Sequence, residues 1–165
     1  MTIEKFRWVA GVIASHSESE VHGRTRLQKE IKLLQRLGLP TDYSYKIHFY
    51  GPYSEGLQAD IGVMEMLGLV TETTQDAGDE VRYVFKASES AGLTEVDQFK
   101  PMIGHFEEAS STVLELAATY DAFREQGSGH GLAMERLRNK KGVKCDGNRD
   151  QEALTLLEKI GLPFA

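Results

Sequence analysis

The run Val70-Thr71-Glu72-Thr73-Thr74, the six residues Gln75-Asp76-Ala77-Gly78-Asp79-Glu80 and the run Val81-Arg82-Tyr83-Val84-Phe85-Lys86 decide the fold. β-Branched and aromatic residues fill the outer runs, and turn formers fill the middle, so the pattern predicts an antiparallel hairpin. Immediately before it, Ser54 is a helix cap, followed by Leu57, Ile61, Met64 and Leu67 at helical spacing. Further back, Tyr45, Ile47 and Phe49 alternate with Lys46, His48 and Tyr50, the period of a half-buried strand ending at Gly51-Pro52. Leu27, Ile31, Leu34 and Leu37 mark a second helix. Ile3, Phe6, Ala10 and Ile13, widened by Val9 and Val12, mark a first helix over residues 2–15, with a polar connection over 15–22. Helix, helix, short strand, helix, hairpin is the order of a winged-helix module.

The rest of the chain reads as helical, so the fold class is mainly α with a small β-hairpin. Residues 1–90 form the winged-helix-like module, and 91–165 form a helical extension packed on it. Phe99, Met102, Ile103 and Phe106 define one helix, started near Pro101. Val113, Leu116, Ala117 and Tyr120 define another, capped by Thr112 with Glu115 three residues on. A short helix holds Leu132 and Leu137, and a final one over 150–160 places Leu154, Leu157 and Ile160 inward. Leu37-Gly38-Leu39, Leu67-Gly68-Leu69 and Ile160-Gly161-Leu162 share one helix-ending solution, a left-handed glycine followed by an apolar residue that folds back; Pro40 and Pro163 reinforce two of them. At 165 residues one domain is expected. The apolar runs are far shorter than a membrane helix, no secretory leader is visible at the amino terminus, and one cysteine permits no internal disulfide, which together predict a cytoplasmic protein.

Gly23-Arg24-Thr25-Arg26-Leu27-Gln28-Lys29 followed by Phe49-Tyr50-Gly51-Pro52-Tyr53-Ser54 resembles the YwgA-like family of bacterial proteins, which pair a GR-x-x-LQK helix start with a YGPYS turn. More distantly the chain is similar to the SocA-like antitoxin domain, also called Panacea, with KLQK and YGP at comparable places. The likeness is best over residues 23–70. It implies a winged-helix-like fold without known catalysis and, through the Panacea relatives, the binding and neutralising of a toxin protein.

The net charge of −6 is unevenly divided, with +4 over residues 22–51, −12 over 52–135 and +5 over 136–149. A DNA-reading third helix needs Lys or Arg against the phosphates. Residues 54–67 contain neither and carry Glu55, Asp60 and Glu65, while the turn adds Asp76, Asp79 and Glu80. The expected function is therefore non-enzymatic binding of a partner protein, such as a toxin or defence effector. The partner-binding residues are Arg24, Arg26, Lys29, Lys32 and Arg36 on an exposed basic face of the second helix, together with Tyr50 and Tyr53. Alternation buries Tyr45 and Phe49 and turns Tyr43, Tyr50 and Tyr53 outward. The alternative is a transcriptional regulator holding nucleic acid weakly through basic faces outside the third helix, with Arg138, Lys140, Lys141, Lys144 and Arg149 as the contacts.

Catalytic, metal and cofactor sites are not expected. Gly127-Ser128-Gly129-His130-Gly131 lacks the preceding strand of a phosphate loop and reads as a flexible connection. Asp146, Asn148 and Asp150 begin like a calcium loop, but Gln151 and Leu157 stand where glycine and the bidentate glutamate belong. The five histidines form no metal-binding pair. Lys141 and Lys144 would lower the pKa of Cys145, yet no resolving thiol or base accompanies it.

Overall fold

The computed structural model describes residues 2–89 and 94–162. Its helices are α1 (Thr2–Ala14), α2 (Arg24–Arg36), α3 (Glu55–Met66), α4 (Lys100–Glu108), α5 (Ser111–Glu125), α6 (His130–Lys141) and α7 (Arg149–Ile160). The strands are β1 (Glu20–His22), β2 (Lys46–His48), β3 (Gly51–Tyr53), β4 (Val70–Ala77) and β5 (Glu80–Ala87). The molecule is mainly helical with a small antiparallel sheet in the order β1-β5-β4, and β2 pairs with β3 as a separate two-stranded ribbon. No described helix is long and apolar enough to cross a membrane.

The hairpin forms with Val70 opposite Ala87 and Ala77 opposite Glu80, so its strands outrun the expected ones and only Gly78 and Asp79 remain between them. Gly78 supplies the positive φ of 74° that so short a turn requires. Ser54 caps α3 by accepting the Leu57 amide at 3.1 Å. Along α3, Leu57, Ile61 and Met64 are buried as the spacing predicts, whereas Leu67 lies outside the core and is 57% exposed.

Five local expectations are corrected. The connection over 15–22 is not purely loop, because Glu20–His22 pairs with β5 as a third strand. The strand expected over 45–50 is two strands folded back at Phe49-Tyr50, so alternation stops at His48 and Phe49, expected inside, is 78% exposed. Tyr43, expected to face out, is buried and donates its hydroxyl to Asp60 at 2.7 Å. α5 is capped by Ser110, whose Oγ accepts the Val113 amide at 3.1 Å, and not by Thr112. The glycine-rich run is likewise no flexible connection. Gly127, at φ 96°, ends α5, Gly129 caps α6, and His130 and Gly131 lie inside it.

The three Leu-Gly-Leu or Ile-Gly-Leu endings share one geometry. The Leu39 amide donates to Leu34 O at 2.9 Å, the Leu69 amide to Met64 O at 2.9 Å and the Leu162 amide to Leu157 O at 2.8 Å, each across a glycine of positive φ. Pro163 and the module boundary at 90/91 lie outside the described residues. At Gly38, where φ is 110°, an added Cβ would meet nothing within 4 Å, so a side chain there strains the backbone alone. Gly38→Val should lower stability by about 1 kcal/mol or more in chemical denaturation, and an unchanged midpoint would show that the turn tolerates an L residue.

Candidate partner-binding site

Leu27-Gln28-Lys29 in α2 and Tyr50-Gly51-Pro52-Tyr53-Ser54 around β3 are one structural unit. Gln28, fully buried, closes a two-way clamp on Ser54: its Nε2 donates to Ser54 O at 3.0 Å and its Oε1 accepts the Ser54 amide at 2.8 Å. The Lys29 ammonium donates to Pro52 O at 2.7 Å. Gly51, at φ 96°, allows this approach, because a Cβ there would stand 2.7 Å from Thr119 Oγ1 and 3.3 Å from the Lys29 side chain. Only glycine meets both demands.

Beneath the ribbon the charges converge on Glu115 of α5, which is itself nearly buried. Lys141 and Lys144 each place Nζ 2.9 Å from Glu115 Oε2, and Lys141 also donates to Phe49 O at 2.9 Å. Burial pushes Lys29 down to about 8; the nearby Glu115 charge opposes that fall and the charges of Lys141 and Lys144 add to it. Burial likewise lowers Lys141 against the pull of Glu115. Two lysines on main-chain oxygens on either side of the turn, at Phe49 and Pro52, fix the backbone there.

What this framework presents is aromatic. Phe49 is 78% and Tyr50 55% exposed, their rings pack edge to face with centroids 4.9 Å apart, and the Lys144 ammonium sits 5.1 Å from the Tyr50 ring. Val143, also exposed, lies in the short turn that carries Lys144. Tyr53 is half-buried and packs on His48 with centroids 5.3 Å apart.

The basic face expected on α2 is exposed only at its ends, at Arg24 and Arg36, and its middle is buried. Lys29 and Lys32 are 2% and 3% exposed, because α2 is wrapped on both sides: the Leu27, Ile31 and Leu34 stripe enters the apolar core and the opposite stripe faces α5. Lys32 bridges Asp121 at 2.7 Å and Glu125 at 2.6 Å, and Arg36 Nε lies 3.0 Å from Asp121. Arg26 donates to the carbonyls of Phe106 and Ala109, and half-exposed Arg24 forms a two-point pair with Glu72 of the hairpin. The second basic group is also largely paired. Arg138 meets Asp150 at 3.1 Å, Arg149 donates to Lys144 O and Val143 O, and Lys140 alone of the five has no ion pair or hydrogen bond among the described residues. Cys145 is shifted opposite to expectation, since burial and the charge of Asp150 raise its thiol, and Lys141 and Lys144 are engaged by Glu115.

Sequence reasoning gave no role to one further buried pair. His16 lies with Nδ1 2.8 Å from Val12 O and Nε2 2.6 Å from Glu30 Oε1. Both nitrogens face acceptors, so both donate, which is the arrangement of an imidazolium. Burial opposes the charge, but the Glu30 bond and its negative charge outweigh it and raise the His16 pKa above 6.5.

Two outcomes follow. A histidine with a raised folded pKa contributes stability that is complete below pH 6.5 and is lost as pH rises through the folded value. The stability difference between wild type and His16→Gln should therefore shrink over that rise in denaturation series. The Lys29 contribution cancels in this difference; it has the opposite sign and sets in only above about pH 8. A pH-independent difference would show that the pair carries no proton. Gly51→Ala should cost on the order of 2 kcal/mol, more than Gly38→Ala, and adding Thr119→Ala should restore part of it by removing the clashing oxygen. No recovery in the double variant would contradict the packing assigned to Gly51.

No family model matches the chain. Among curated proteins it is similar to the Uncharacterized protein YwgA of Bacillus subtilis (strain 168), at 36% identity over 152 residues, covering 86% of this chain and 88% of that protein. The match spans the α2 motif, the turn it clamps and most of the helices that brace them, and with that coverage the chain belongs to the YwgA-like family.

Proposed function

We propose that the chain is a non-enzymatic winged-helix interaction module that docks a partner protein, of the toxin or defence-effector kind, through the aromatic turn at Phe49 and Tyr50. The observation that carries this reading is the exposure of two adjacent aromatic rings on a backbone fixed by buried lysines. Exposed rings are costly in solubility, and aromatic anchors presented rigidly are what protein interfaces use. Lys29 then serves binding by holding the turn, and Tyr53 by supporting it from the half-buried side.

The winged-helix assignment draws support from α1, α2 and α3 beside a sheet in which the hairpin β4–β5 is the wing and β1 its third strand. The relation to the Panacea domain belongs to the same proposal. Nucleic-acid binding is the weaker reading. α3 carries no Lys or Arg; Val63, Met66 and Leu67, on it and at its end, are exposed and apolar, and most of the basic groups that would replace it are paired internally. Duplex contacts made elsewhere would be weak, independent of sequence and steeply salt-dependent.

The test is quantitative affinity capture from the source cell, comparing wild type with Phe49→Ser/Tyr50→Ser. Truncating exposed rings leaves folding within about 0.5 kcal/mol, while loss of two anchors should reduce recovery of the wild-type partner at least about tenfold, with modest salt dependence. Equal recovery by both would refute the site. Tight, sequence-selective retention of a DNA duplex at physiological salt would refute the class of function.

A further inference from the structure

A cleft of about 440 Å³ lies between α2, α5 and the outer side of β2, away from the aromatic turn. Its floor is Tyr45, whose hydroxyl is buried without a hydrogen-bond partner among the described residues. Burial and the charge of Glu125 push that hydroxyl's pKa upward, so it stays protonated and has a proton to donate. A buried hydroxyl left unpaired lowers stability, which makes it an unusual feature for a residue serving packing alone.

Two further donors border the same space. Arg36 gives Nε to Asp121, and its two terminal nitrogens have no hydrogen bond among the described residues. Lys46, exposed at the rim, forms no ion pair among the described residues. The charges around the cleft are Lys32, Arg36 and Lys46 against Asp121 and Glu125, one positive charge in excess. Ile47, Pro52 and Ala122 supply an apolar wall. The volume falls in the range of small-ligand pockets, which join apolar walls to a few convergent polar groups.

From these features we infer that the cleft binds a small organic monoanion, with one oxyanion group held by the Tyr45 hydroxyl and the fork of Arg36 and a flat apolar body against Ile47 and Pro52. A single negative charge neutralises the cleft, and a guanidinium with both terminal nitrogens open matches an oxyanion in two-point fashion. This assignment is independent of the docking role of Phe49 and Tyr50, which lie at the opposite end of the β2–β3 ribbon.

Benzoate, benzenesulfonate and inorganic phosphate are the probes, titrated into the full chain while amide signals are followed by NMR. Benzoate or benzenesulfonate should shift the signals of Lys46, Ile47 and Gln126 saturably, and more strongly than inorganic phosphate, which has no apolar body. Tyr45→Phe should weaken binding about fivefold while leaving the denaturation midpoint unchanged or higher, because it removes an unpaired hydroxyl. Arg36→Lys, which keeps the charge beside Asp121 but loses the fork, should weaken binding about tenfold. Absence of saturable shifts with both aromatic probes, undiminished binding in both variants, or a clearly lower midpoint in Tyr45→Phe would each overturn the assignment.

Discussion

The structure depends on one carboxylate held against three lysines. Glu115 sits on α5 with Lys141 and Lys144 in direct contact and Lys29 close enough to feel its charge. Burying the Lys29 and Lys141 ammonium groups together, with half-exposed Lys144 beside them, would be prohibitive without it, since desolvation removes the water that ordinarily separates them. Each of those lysines also does something local. Lys29 and Lys141 hold main-chain oxygens of the β2–β3 ribbon, and Lys144 lies over the Tyr50 ring. The ribbon, α2, α5 and the end of α6 are thereby tied into one polar joint, and the exposed rings inherit its rigidity.

A second joint runs parallel to the first. Lys32 and Arg36 on α2 face Asp121 and Glu125 on α5, an i to i+4 pair of cations against an i to i+4 pair of anions. With the His16–Glu30 pair at the middle of α2, the helix carries charge along much of its buried length. Such networks are weak contributors to net stability compared with apolar packing, but they discriminate sharply between registers, because a slip by one turn strands a buried charge. The arrangement fixes how α5 sits on α2 and hence where the Phe49–Tyr50 turn points.

Much of the architecture was legible in the sequence because it is set by local chemistry. Gly38, Gly68 and Gly161 announce helix ends, Ser54 announces a cap, and the β-branched runs around Gly78 announce a hairpin. The burial of α2 was not legible from its own residues. Arg26, Lys29, Lys32 and Arg36 at helical spacing are indistinguishable from a solvated face until the partner is known, and the partner lies some ninety residues later. A signal did exist in α5, where Glu115, Asp121 and Glu125 punctuate a run of Ala117, Ala118, Ala122 and Phe123 that is apolar nearly all round, the mark of a helix buried on every side. Acids in such a helix must find cations. The exposure of Phe49 was missed for a different reason: alternation was carried past the residue where the chain reverses, and Gly51 with its positive φ marked the reversal.

The central claim, that Glu115 is the charge on which the exposed aromatic turn rests, is tested most directly by measuring the stability of Glu115→Gln by chemical denaturation. Removing the negative charge leaves Lys29, Lys141 and Lys144 together without neutralisation, and loss of one member of a buried ion pair costs about 3 kcal/mol or more, so a destabilisation of that size is predicted. A loss below about 0.5 kcal/mol, the size expected of an exposed pair, would contradict the account.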